Sequence, residues 1–120
     1  MGHAVKPVVL LVEDEPLTRM DACAGLREAG FEVLDAEDVE AALRCVHERP
    51  DIAVLVTDVQ MPGPMDGLAL ARVIRVLRPE VRVVVTSGGL RLRAEDLPRG
   101  CAFVPKPYAV DGLARRLGAA

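Results

Sequence analysis

Three stretches of the chain are aliphatic at nearly every position for the length of a strand and no further. They are Val8 to Val12, the Ile52 to Val56 part of a run ending at Asp58, and Val83 to Val85 within Arg82 to Thr86. None alternates between apolar and polar side chains, so each suits a strand covered on both faces, the situation of a parallel sheet flanked by helices. Each run also stops on polar groups: Glu13-Asp14-Glu15, Asp58, and Thr86-Ser87. In an open α/β sheet the carboxyl ends of the strands form the crevice in which ligands bind. Asp58, which precedes a loop broken by Pro62, Gly63 and Pro64, is therefore the first candidate site residue.

The segments between these runs carry helical spacing. Pro16 to Ala29 reads as a helix with Leu17, Met20, Cys23 and Ala24 on its apolar face, started by Pro16 and stopped by Gly30. One of the acids Glu13, Asp14 and Glu15 is expected to cap it, since acids favour a helix N-terminus. Phe31 to Ala36 is a shorter, more polar strand, suited to a sheet edge. Val39, Ala42, Leu43 and Val46 define a second helix ending before Pro50, with His47 in its last, solvated turn. Leu70, Val73, Ile74 and Leu77 define a third, and Arg72, Arg75, Arg78 and Glu80 are expected on its solvated side or end. Between Gly88 and Gly100 only a turn or two of helix fits. Ala102 to Pro105 makes a fifth strand, at an edge because Pro105 cannot donate to a ladder. Val110, Leu113 and Leu117 mark a final short helix.

The order predicts an α/β fold, a doubly wound, five-stranded parallel sheet in the flavodoxin-like order 2-1-3-4-5, with a shortened or irregular fourth helix. Residues 1–7 are expected to be a disordered tail in which His3 is a solvated end residue, and residues 8–120 a single domain. With 51% apolar residues but only 2% aromatic, the core must be aliphatic. A net charge of −3 gives no general attraction to nucleic acid or anionic membrane. Cys23, Cys45 and Cys101 are odd in number and widely spaced, which points to buried thiols in a reducing cytoplasm and to neither a disulfide framework nor a zinc site. No stretch has the length of a membrane span.

In the order 2-1-3-4-5 the first and third strands are neighbours, so Glu13 and Asp14 meet Asp58. Carboxylates this close repel unless protonated or bridged by a cation, and hard oxygen ligands with room for water suit Mg²⁺. Lys106, after the fifth strand, brings a positive charge from the other side. In a chain with 13 arginines and two lysines, a lysine at this place suits a compact point charge. Thr86 offers a hydroxyl at the end of the fourth strand.

These residues, Glu13-Asp14, Asp58 with Met61-Pro62 and Met65-Asp66-Gly67, Thr86-Ser87-Gly88, and Lys106-Pro107-Tyr108, resemble the receiver domain of two-component response regulators, the CheY-like fold. The resemblance runs from Val8 to Leu117. It implies that Asp58 is the phosphoacceptor for a histidine kinase or histidine phosphotransfer protein, without conventional enzyme activity beyond self-catalysed phosphotransfer and dephosphorylation. It implies that Asp14 and Asp58 bind Mg²⁺ directly, Gln60 through its backbone carbonyl and Glu13 through water. Lys106 would pair with Asp58 and then with the phosphoryl group. Thr86 and Phe103 would form the switch that moves on phosphorylation, and the Lys106-Pro107 peptide is one that family members often hold cis. The partners implied are proteins, with a homodimer left open.

Three features depart from the family pattern. The loop Met61 to Gly67 is one residue longer than the commonest form, Glu13 stands where Asp is frequent, and Gly88 to Gly100 is short for a full helix beside the usual output face. Rival readings fit less well. A haloacid dehalogenase-type phosphatase needs a second Asp where Gln60 stands, and more chain. A flavin or nucleotide binder wants glycines and N–H groups where the first strand here ends in acids. A phosphorylation-independent pseudo-receiver would not need every one of these residues.

Overall fold

The structure, a computed structural model, describes residues 6–89 and 92–118. His3 and the tail up to residue 5 lie outside the described residues. Five strands, β1 (Val8–Val12), β2 (Glu32–Ala36), β3 (Ile52–Asp58), β4 (Arg82–Ser87) and β5 (Cys101–Pro105), form one parallel sheet in the order β2-β1-β3-β4-β5. Helices α1 (Pro16–Glu28), α2 (Val39–Glu48), α3 (Gly67–Leu77) and α4 (Val110–Arg116) connect or follow them. All of β1 is buried, as are Val54–Val56 and Val83–Val85, because the sheet is covered on both faces. One face packs Leu10, Val12, Leu55, Val83 and Val85 under α2 and α3; the other packs Val9, Leu11, Val54, Val56 and Val84 under α1 and α4. Each fully buried Val or Leu contributes roughly 1.5–3 kcal/mol of transfer free energy, so the central strands hold the sheet ends fixed.

The strand expected at the edge is at the edge: β2 has exposed Glu32 and Asp35, and β5 ends in exposed Pro105. Among the described residues between β4 and β5, the helical element is the 3₁₀ turn Ala94–Asp96. The Lys106-Pro107 peptide is cis.

Two apolar faces differ from their expected form. In α1, Leu17 and Met20 are 69% and 64% exposed and Ala24 is also exposed; the buried residues are Ala22, Cys23 and Leu26. Two overlapping stripes were available in this helix, and α4 selects the second. Gly25 lies so close to it that an added Cβ would stand 2.4 Å from Val110 Cγ1. In α3, Leu70, Ala71 and Ile74 are buried but Leu77 is 61% exposed. The next place along that stripe belongs to Arg78 instead.

Arg78 also corrects the expectation of a solvated arginine face. Its guanidinium donates to the carbonyls of Pro50 (2.6 Å), Val46 and Arg49 (both 3.4 Å), and pairs with Glu80. Arg75 likewise donates to the carbonyls of Arg99, Pro79 and Val81. Both satisfy carbonyls left over where helices and strands end, a need that a sequence pattern does not display. Arg72 remains exposed.

Candidate functional site

The register of the ladders assembles the site. Val12 pairs with Thr57, so Glu13 and Asp58, the next residue on each strand, emerge side by side; Asp58 in turn pairs with Thr86, and Ser87 with Pro105, which precedes Lys106. One carboxylate oxygen from each of Glu13, Asp14 and Asp58 lies within 4.8 Å of the others. Glu13 and Asp58 are buried and Asp14 is exposed. Lys106 Nζ donates to Glu13 Oε1 and, at 3.1 Å, to Asp58 Oδ2. Burial pulls the Lys106 ammonium toward its neutral form, but hydrogen bonds and charge from Glu13 and Asp58 outweigh it, so its pKa is raised above the usual 10.5.

The three acids divide the tasks at the start of α1. Glu15 is the cap, accepting from the N–H of Leu17 (2.7 Å) and Thr18 (3.1 Å). Glu13 turns inward: its Oε2 accepts from Glu15 N at 3.0 Å while its Oε1 meets Lys106. Asp14 points into the open. It shares a cleft of about 490 Å³ with Val59, Gln60, Met61, Pro62 and Asp66. Gln60 has an exposed side chain, and its N–H lies 3.4 Å from Asp58 Oδ1.

Thr86 is buried, and its carbonyl accepts from Val59 N at 2.9 Å. Phe103 is half-buried and lines a cleft of about 400 Å³ with Ser87, Gly88, Gly89, Leu92, Pro105 and Lys106. The sequence-expected residues Glu13, Asp14, Asp58 and Lys106 therefore form one cluster, Thr86 stands across the ladder from Asp58, and Phe103 sits one strand further out. Of the three thiols expected to be buried, Cys23 is, while Cys45 and Cys101 are half-buried; burial raises all three above their usual 9.0, which disfavours the nucleophilic thiolate.

Two structural participants had no role assigned from sequence. Gly67 presses on the phosphoacceptor candidate from behind: a Cβ there would lie 1.8 Å from the Asp58 carbonyl oxygen. Its place immediately after the helix-capping Asp66 was a legible signal, since glycine permits such backbone approach. Arg19 donates to the carbonyl of Glu13 at 2.8 Å, and nothing in the spacing of α1 marks it.

Three carboxylate oxygens with access to water form a donor set suited to a hard divalent cation, and the exposed Asp14 keeps that set open to solvent. An ammonium opposite the carboxylates adds a fixed positive charge for an anion arriving at Asp58. Such a site can position and neutralise a phosphoryl group, which is most of what phosphoryl transfer asks of a protein.

The chain is 39% identical to the transcriptional regulatory protein AruR of Pseudomonas aeruginosa over 94% of its own length and 48% of that protein. It is 36% identical to the transcriptional regulatory protein PdtaR of Mycobacterium tuberculosis, over 92% of this chain and 54% of the other. It thus spans about half the length of these relatives. A response regulator receiver protein from Sinorhizobium medicae WSM419 superposes with a TM-score of 0.84 at 28% identity, covering 93% of this chain and 94% of that one. A family model described as the response regulator receiver domain matches residues 9–117, a span that holds the whole sheet except Val8 together with all of the clustered acids, and with it the chain belongs to the receiver domains of two-component response regulators.

Proposed function

We propose that Asp58 accepts a phosphoryl group from a phosphohistidine on a histidine kinase or histidine phosphotransfer protein, in a Mg²⁺-dependent reaction, and that the transfer switches the conformation of the domain. The observation that carries this reading is the convergence of Glu13, Asp14, Asp58 and Lys106 from three different strand ends. Asp14 and Asp58 would hold the cation directly, Gln60 through its carbonyl and Glu13 through water. When bound, the cation supplies charge neutralisation of the acids and of the phosphoryl oxygens.

The remaining work falls to the protein. A carboxylate oxygen of Asp58 attacks phosphorus; the new O–P bond forms as the P–N bond to imidazole breaks, and the imidazole nitrogen keeps the bonding pair. Lys106 leaves its pairing with Asp58 for the incoming phosphoryl oxygens, so a positive charge is in place before negative charge arrives. Thr86, across the ladder from Asp58, turns its hydroxyl toward a phosphoryl oxygen, and Phe103 moves inward from its half-buried position beside the β4–β5 cleft. This is a local charge biasing a two-state element.

Acetyl phosphate with Mg²⁺ is expected to label the wild type and not Asp58→Asn. Equal labelling of the two would defeat the assignment, and so would labelling that chelation leaves unchanged.

A further inference from the structure

We infer that Arg19 is a positioning residue for the acidic pair, setting the orientation of Glu13 and Asp14 and through them the cation affinity of the site. The inference rests on the cation reading given above.

Glu13 N donates to Ala36 O at 3.0 Å, one step past the last paired residues Val12 and Ala36. If the parallel ladder continued, the Glu13 carbonyl would accept from the N–H two residues beyond Ala36, which belongs to Asp38. Asp38 instead caps α2, its backbone extended and its carboxylate accepting from Ala41 N at 2.8 Å. The chain has left the sheet, and the Glu13 carbonyl has lost its strand partner.

Arg19 takes that place. Its Nη1 donates to Glu13 O at 2.8 Å and its Nε pairs with Asp35 Oδ2 at 3.2 Å, so one guanidinium joins the site loop to the edge strand β2. Its backbone N–H is bonded to Glu15 O at 2.9 Å, which ties the same residue to the other end of the acidic triplet. The Arg19 side chain is only 17% exposed. A planar fork presents its donors at a fixed spread and angle, whereas an ammonium is a point charge with rotatable donors on a flexible stem, so the guanidinium fixes the relative placement of its two acceptors. The carbonyl it grips is half of the Glu13–Asp14 peptide, so the same grip sets the direction in which both carboxylates leave the backbone.

Charge and positioning make opposite predictions here, which makes the inference testable by sign. Removing a positive charge near a cation site tightens cation binding if charge alone matters. Removing the residue that orients the ligands weakens it, typically by roughly 10- to 100-fold for an outer-shell partner, because Mg²⁺ demands near-ideal octahedral geometry. Titration of the full chain with Mg²⁺, followed by amide NMR shifts, is the test.

Arg19→Met is expected to lose roughly tenfold or more in affinity, Arg19→Lys less, and Asp35→Asn less again because the bond to Glu13 O survives. Thermal melts confirm that each variant is folded; should Arg19→Met fail to fold, Arg19→Lys carries the comparison. Unchanged or tighter binding in a folded Arg19 variant overturns the inference, as does a lowered melting temperature with wild-type affinity, which would mark a purely structural residue. A wild-type protein that binds no Mg²⁺ would instead bring down the cation reading, and this inference with it, before any variant is compared.

Discussion

Gly67→Ala reports on how closely the fold presses against the site. The first residue of α3 is buried, its N–H donates to Val59 O at 2.8 Å, and Asp66 just before it caps Ala69 N at 2.9 Å. An added Cβ would lie 1.8 Å from the Asp58 carbonyl oxygen and 2.7 Å from its carbon, where contacts below 3.0 Å are essentially never seen. Backbone must therefore shift by more than an ångström, and neither atom belongs to a flexible side chain. Overpacking of this kind costs roughly 1–3 kcal/mol, and stretching the Gly67–Val59 bond adds about 1 kcal/mol, for a total of about 2–4 kcal/mol. With a urea slope of about 1.5–2 kcal/mol per molar, the unfolding midpoint falls by roughly 1–2.7 M. The same shift displaces Asp58, so phosphoryl labelling should slow even where the variant is folded. A midpoint within about 0.3 M of wild type, together with a normal labelling rate, would refute this reasoning.

Arg78→Ala is expected to destabilise by about 2–3 kcal/mol, since charge-assisted bonds to three carbonyls are lost; an ordinary surface substitution stays within about 0.5 kcal/mol, and a urea melt in that range would return Arg78 to the solvated face. The Lys106 pairing predicts an alkaline signature. Its pKa is raised above 10.5 in the folded state, so the folded form holds the proton more tightly than the unfolded one. That stabilisation is fully present below the usual value of 10.5 and disappears as pH rises through the folded value. The stability gap between wild type and Lys106→Met should therefore narrow on passing above about pH 10.5, and parallel curves for the two proteins would contradict the pairing.

The sheet was legible because its strands are buried on both faces, which leaves no polar position to blur the pattern in Val8–Val12 or Val83–Val85. The acids were legible because they follow those strands directly, and the strand order that joins them is the flavodoxin-like order of doubly wound sheets. Helix faces were harder. Pro16 to Glu28 holds Leu17, Met20, Ala22, Cys23, Ala24 and Leu26, enough apolar residues for two stripes, and contact with Val110 decides between them. Arg19, Arg75 and Arg78 were opaque for a different reason. Their partners are carbonyls left over at the ends of distant elements, and a carbonyl has no letter in a sequence. Gly67 lies between these cases: the residue type signals a close approach, but only the packed chain shows that the approach is to Asp58.

Asp58 itself must supply the oxygen of the new bond to phosphorus. An acyl phosphate on aspartate is reduced by borohydride to homoserine, so peptide mass spectrometry of protein treated with acetyl phosphate and Mg²⁺, then borohydride, locates it directly. Homoserine at position 58 alone, absent when Mg²⁺ is chelated, is the expected result; reduction at Asp14, at Glu13 or at none of these positions would contradict the account.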